Sequence, residues 1–218
     1  MSLINSVPLV QNSTNEPVAV IETRLAHDTH RAASALLADA AKRPSVPGAA
    51  LTELRDFLVA NLHHHHESED RELWPLVIAA SSERAAGLAA LSTEHEELDA
   101  ALDALGSMPV EDGAGRDALA KAAIAVRDIV DRHLAHEEPL LFPALRELSP
   151  ETWDSFSEQV IATTPPVGAH LMVGFLDQVG TAEEVEILLS RLPEPLQQFV
   201  PQMRLAAKET FAALAPAK

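Results

Sequence analysis

Apolar residues recur along this chain at spacings of three and four, the pattern of helices that bury one face. Four such stripes precede residue 149. The first predicts a helix over 20–42, stopped ahead of Pro44, Pro47 and Gly48. The second carries Leu51, Leu54, Leu58, Leu62 and Leu76 and predicts a helix over 49–80, with a kink or early end at Pro75. The third, through Leu88, Leu91, Leu98 and Leu102, predicts a helix over 83–105 capped by Ser81 or Ser82. After a loop containing Gly106, Pro109, Gly113 and Gly115, the fourth runs through Val126, Val130, Leu141 and Ala144 and predicts a helix over 116–148. Pro139 cannot donate to the Ala135 carbonyl, so a bend or a widened turn is expected there.

Four amphipathic helices joined by short loops predict an all-α, up-down-up-down four-helix bundle. Beyond it the chain changes character. Ser149-Pro150-Glu151 is a helix start, Pro165-Pro166 a break, and Thr181 with Glu184 a capping box. Pro193 and Pro195 interrupt again before a last helix ending near Leu214. The expected division is a flexible N-terminal arm over 1–19, the bundle over 20–148 and a C-terminal helical extension over 149–218. In the extension Trp153, Phe156, Phe175, Phe199 and Phe211 are expected to pack, against the bundle or each other.

Composition narrows the function. Among 218 residues, 47% are hydrophobic and only 4% aromatic, with no Tyr, which favours helices and allows a real core. The formal charge of −17, from 33 acidic and 16 basic residues, argues against nucleic acid or an anionic membrane and suits handling of cations. The chain has no Cys, so any metal must be held by nitrogen and oxygen donors, and thiol chemistry is excluded. No apolar run approaches the ~20 residues of a membrane span. The first residues do not read as a signal peptide, and a cytoplasmic setting is expected.

Those donors occur in a repeat. His63 to Pro75, HHHHESEDRELWP, returns as His133 to Pro143, HLAHEEPLLFP. His65, Glu69, Asp70, Leu73, Trp74 and Pro75 match His133, Glu137, Glu138, Leu141, Phe142 and Pro143. Residues four apart lie one helical turn apart on one face, so each copy aims an imidazole and a carboxylate together. Both pairs fall on the apolar stripes and therefore point into the core. A buried carboxylate without a partner is costly. One such pair is more simply a polar core contact; two matching pairs on facing stripes indicate a ligand cluster.

The repeat extends to the other two helices. His95 lies on the stripe of the third. Laying His30 over His95 puts Ala33 over Leu98 and Leu37 over Leu102, whereas laying His27 there puts Ser34 over Leu102. His30 is thus the expected counterpart, with His27 a turn away as second candidate. Asp70 and Glu138 are expected to orient a ligand His or to be solvated. His63, His64, His66 and His136 are expected at the surface or behind a ligand.

His30, the His65/Glu69 pair, His95 and the His133/Glu137 pair, with their Leu-Trp-Pro and Leu-Phe-Pro endings, resemble the hemerythrin-like, HHE cation-binding family over about residues 20–148. The resemblance implies a bundle holding non-haem iron, usually two ions, and roles in binding or sensing O₂, NO or redox state, or in iron–sulfur repair. The oxygen-carrying members have a second His one turn after the third-helix His. Asp99 stands there in this chain, as an oxygen ligand or in place of any ligand, which speaks against an oxygen carrier. The donors suit Fe, Mn or Zn. If Glu69 and Glu137 are shared by two ions, His30, His65, His95 and His133 complete two sites open to a small molecule, and His27 or Asp99 can close one. Alternatives are a di-metal enzyme acting on peroxide or donating iron, and a metal-free interaction module.

Overall fold

The computed structural model describes residues 16–80, 85–111 and 113–216, and every structural statement below concerns those residues. Of the expected arm over 1–19, residues 1–15 lie outside them, as do the expected caps Ser81 and Ser82, while Val18 and Ala19 already belong to the first helix. The chain is all-helical: α1 Val18–Ala40, α2 Gly48–Ser68, α3 Trp74–Ala80, α4 Ala85–Gly106 and α5 Ala114–Leu145 precede α6 Pro150–Thr163, α7 Ala169–Val179, α8 Ala182–Ser190, α9 Glu194–Gln197 and α10 Val200–Leu214.

The bundle is a ring in which α1 packs along α5, α5 along α4, α4 along α2 and α2 along α1. Two apolar clusters fill it. One holds Leu37, Leu51, Leu54, Leu58, Leu98, Leu102, Leu119, Val126 and Val130. The other holds Leu73, Trp74, Val77, Leu88, Leu91, Leu141 and Leu145. Fully burying each such side chain is worth about 1.5–3 kcal/mol. Leu62, Leu98 and Val130 belong to the first cluster and Leu73, Leu91 and Leu141 to the second, each within one helical turn of a histidine or glutamate of the repeat. The histidines and glutamates of the repeat therefore sit between the two.

The second helix does not stop at Pro75. Its turn widens just ahead: Glu69–Leu73 is a single π-helical turn, closed by the Trp74 N–H donating to the Glu69 carbonyl. A π-turn holds an extra residue, so positions beyond it lag by one. Leu76, expected on the core stripe, is half-buried, while Leu73 and Val77 are buried in its stead. The turn does not widen at Pro139. The α5 helix runs through Pro139 and Pro143. Ala135 and both prolines lie on the exposed side, where water can satisfy the carbonyls that proline leaves free.

The C-terminal helices pack on the outside of α1 and α2, with α10 against α7. Ser149 caps α6 and Thr181 forms a capping box with Glu184 on α8. Phe175 stacks on Phe57 of α2 at 5.7 Å and meets Phe211 edge-on at 4.9 Å. Trp153 and Phe156 join the second bundle cluster. Phe199 differs from expectation: it is 50% exposed. Gly174 lets α7 approach α10, since a Cβ there would lie 2.5 Å from the Ala207 Cβ. A polar tie reinforces the seam: buried Glu22 of α1 accepts from Trp153 Nε1 at 2.8 Å and Ser157 Oγ at 2.9 Å, and pairs with Arg191 at 2.6 Å. The α1 helix is consequently covered on two sides, and Ile21 and Leu25 pack against Val173, Leu176, Val185, Leu189 and Val200 rather than into the bundle. No described helix is long and apolar enough to cross a membrane.

Candidate metal centre

Three sets of donor atoms converge, each within 4.8 Å of one another: His27, His65, Glu69 and Glu137; Glu69, His95, His133 and Glu137; and His66, His95 and His133. Glu69 and Glu137 belong to two sets. They are 2% and 0% exposed, and neither oxygen of either group has a hydrogen-bond partner. The His65–Glu69 and His133–Glu137 pairs close at 3.2 and 3.0 Å across one helical turn. His27 Nε2 lies 3.5 Å from Glu137 and 3.9 Å from Glu69.

The imidazoles are held from behind. His27 Nδ1 bonds Glu138 at 3.1 Å, His95 Nδ1 bonds Asp70 at 3.0 Å and His133 Nδ1 bonds Glu94 at 3.1 Å. A carboxylate accepts only, so each Nδ1 carries a proton, and Nε2 is the nitrogen that faces inward and can offer a lone pair once it holds no proton of its own. This is the outer support that metal-bound histidines usually have. The carboxylates are anchored in turn: Glu138 by Arg31 at 2.6 Å, Asp70 by Ser92 at 2.6 Å, Glu94 by His136 at 2.9 Å. The aromatic ends of the repeat lie on the same rings, Trp74 on His95 at 6.1 Å and Phe142 on His27 at 5.9 Å.

This arrangement has an approximate twofold logic. Asp70 and Trp74 of the second helix serve His95 of α4; Glu138 and Phe142 of α5 serve His27 of α1. Structurally, then, His27 is the counterpart of His95. The expected counterpart, His30, is buried against the His65 ring at 4.7 Å, its Nδ1 unpartnered, and is outside the converging sets. Both lie on the buried stripe of α1 and differ by about 4.5 Å in height along the axis. The sequence match favoured His30 because His27 paired Ser34 with Leu102. Ser34 is nonetheless fully buried, its hydroxyl satisfied by the Arg31 carbonyl of its own helix at 3.1 Å.

Other placements also depart from expectation. Asp99, a candidate oxygen ligand, is 39% exposed at its side chain and accepts from His66 Nδ1 at 2.7 Å, so it stands behind an imidazole. His66, expected at the surface or behind a ligand, is 1% exposed with its Nε2 unpartnered. His63 and His64 are half-buried and His136 exposed, as expected of residues outside the centre. Glu94 gave no signal, being one acid in the run Glu94, Glu96, Glu97.

Electrostatics favour a cation. Burial pushes the His30 and His65 imidazoles well below their ordinary range, with neighbouring histidines adding to it, and pushes His95 down to about 4. These rings are neutral and able to coordinate. Burial, then the charge of Glu137, raises the Glu69 carboxyl well above the usual carboxylate range. Burial also opposes ionisation of Glu137, but His27 and His133 outweigh it and lower that group. His27 is pushed up to about 10: burial works against the cation, and Glu137, Glu138 and Glu69 overcome it. An imidazolium thus offsets part of the buried negative charge that a metal would offset fully. His95 and His133 Nε2 approach to 3.2 Å, two inward lone pairs that a shared cation would reconcile. Nitrogen and oxygen donors only, unpartnered carboxylates and pre-set tautomers fit Fe, Mn or Zn.

Comparison with known proteins agrees. The family model described as Hemerythrin HHE cation binding domain matches residues 20–145. No curated protein and no solved structure gives a significant match.

Proposed function

Because the chain belongs to the hemerythrin HHE cation-binding family, we propose that it is a di-iron protein that binds or senses O₂, NO or redox state. The observation that carries this reading is the pair of donor sets, buried but for half-buried His65, that share Glu69 and Glu137. Two irons, when bound, supply reversible coordination of a small molecule and a change of oxidation state. In the proposal the ligands are His27 and His65 for one ion, His95 and His133 for the other, and Glu69 and Glu137 for both, with His27 taking the place expected of His30. Mn or Zn satisfies the same donors and is an outcome of metal analysis.

The protein's own part is to hold these donors ready. Glu138, Asp70 and Glu94 keep the Nδ1 protons, so that Nε2 is the nitrogen offered to a metal. Leu73, Trp74 and Leu141 exclude bulk water on one side of the centre, and Leu62, Leu98 and Val130 on the other. The dry setting strengthens each charge interaction inside. The unit over 20–148 contains the whole donor set, and the extension over 149–218 braces α1 from outside. A cytoplasmic setting, with its reducing conditions, is part of the proposal.

The test is optical. The protein loaded with ferrous iron without air is titrated with O₂ and with NO. Reversible changes in the visible spectrum at one small molecule per chain support the reading. Rapid turnover of added peroxide, with no reversible diatomic complex, replaces it with the enzyme reading.

A further inference from the structure

The sequence offered Asp99 where an imidazole one turn after His95 was looked for, and the structure supplies an imidazole at that height from another helix. We propose that His66, on α2, is a further ligand of the ion held by His95 and His133, and that Asp99 is its positioning residue. The inference rests on the di-metal reading above and deepens it.

His66 is 1% exposed, and a nitrogen of its ring lies within 4.8 Å of donor atoms of His95 and His133. That Nε2 has no hydrogen-bond partner. Its Nδ1 bonds Asp99 at 2.7 Å, so the proton is fixed outward and the lone pair inward. This is the same support that Glu138, Asp70 and Glu94 give to His27, His95 and His133. The ring lies face to face with His95 at 4.3 Å with 10° between planes, so the two rings must turn for both in-plane lone pairs to meet one ion. A purely structural histidine at such a position would find an acceptor or donor for its second nitrogen, because leaving a buried polar atom unpaired costs about 1–3 kcal/mol. His66 leaves it unpaired beside two other ligand residues. The donor set is thereby unequal: three imidazoles on the His95 side, two on the His27 side, with Glu69 and Glu137 common to both.

The experiment compares wild type, His66→Phe, Asp99→Asn and His63→Gln, each loaded with Fe(II) and, separately, with Co(II) as an optical probe. Phe keeps the stack on His95 and removes the nitrogen. His63→Gln removes the other histidine that contacts Asp99, at 3.2 Å, and serves as control. The expected result is two metals in wild type and His63→Gln. One ion should be weakened by tenfold or more in His66→Phe and by about 10–100-fold in Asp99→Asn, with altered Co(II) bands. Unfolding of the metal-free variants is followed by circular dichroism. If His66→Phe does not fold, Asp99→Asn decides: weakened binding of one ion supports the inference, and wild-type binding with unchanged Co(II) bands overturns it. Two tightly held metals and an unchanged Co(II) spectrum in a folded His66→Phe overturn the inference while leaving the di-metal reading intact. A wild type that binds no metal overturns the reading itself.

Discussion

Glu69→Gln should make the metal-free protein more stable and unable to hold its metal. Glu69 is 2% exposed, beside Glu137, with both oxygens unpartnered. Burial, then Glu137, raises its pKa well above the ordinary value. A carboxyl raised in the folded state favours folding fully only below its unfolded pKa. That contribution is lost as pH rises through the folded value. At pH 8 the wild type therefore carries a charge penalty that Gln removes, and the amide can donate toward Glu137 or His65. His27 keeps Glu137 and Glu138. Replacing a whole buried ion pair or triad by neutral, well-packed residues of similar volume is often neutral or stabilises by about 1–4 kcal/mol, and Glu69 is a carboxyl that burial and Glu137 already disfavour as an anion. Because Glu69 also supports His27, the gain should fall at the low end, about 1–2 kcal/mol, or about 2–8 °C in Tm for a chain of this size. Thermal melts of metal-free protein at pH 8 and pH 5 measure it, and the gain should shrink at pH 5. Added iron should raise the wild-type Tm through linkage and leave the variant unchanged. A Glu69→Gln protein that is less stable than wild type at pH 8 without metal would refute the reasoning, because the carboxylate would then be satisfied within the protein.

Glu69→Ala and Glu137→Ala should each lose most of both metals, since each group belongs to both sets, while Glu138→Gln and Glu94→Gln should bind about 10–100-fold more weakly; elemental analysis and competition titration measure this. Metal binding should release protons at pH 7–8, at least the one that His27 holds through its pKa of about 10, and affinity should rise with pH up to that value; a pH-stat titration without proton release would contradict it. Gly174→Leu should cost at least about 1–3 kcal/mol by overpacking, since even a Cβ would sit 2.5 Å from Ala207 and 2.7 Å from Phe211; a denaturant melt reads it. Trp153→Phe should cost about 1–3 kcal/mol by leaving buried Glu22 one donor short, measured the same way.

Much of the bundle is legible in the chain because its stripes are simple. Leu51, Leu54, Leu58 and Leu62, or Val126 and Val130, can be buried together only on a helix face. The doubled His/Glu spacing is legible for the same reason, one turn being one turn in any α-helix. Sequence periodicity assumes a constant turn, however, and the π-turn at Glu69–Leu73 breaks that assumption, moving the stripe from Leu76 to Leu73 and Val77. Periodicity also lacks axial height. His27 and His30 share a stripe, and only the reach of Glu138 and Phe142 from α5 selects His27. His66 is obscured by its neighbours in a run of four histidines, and the sequence leaves Asp99 open between ligand and none because its position on α4 says nothing of α2. The second apolar face of α1, under Val173 and Leu176, depends on docking of the extension, which no local pattern encodes.

The most direct test is the metal content of the wild-type chain. Loaded with ferrous iron without air and freed of excess by gel filtration, it should carry two irons per chain and change its visible spectrum on exposure to O₂ or NO. A protein that emerges folded with one iron, or with none, contradicts a centre in which Glu69 and Glu137 are shared between two ions.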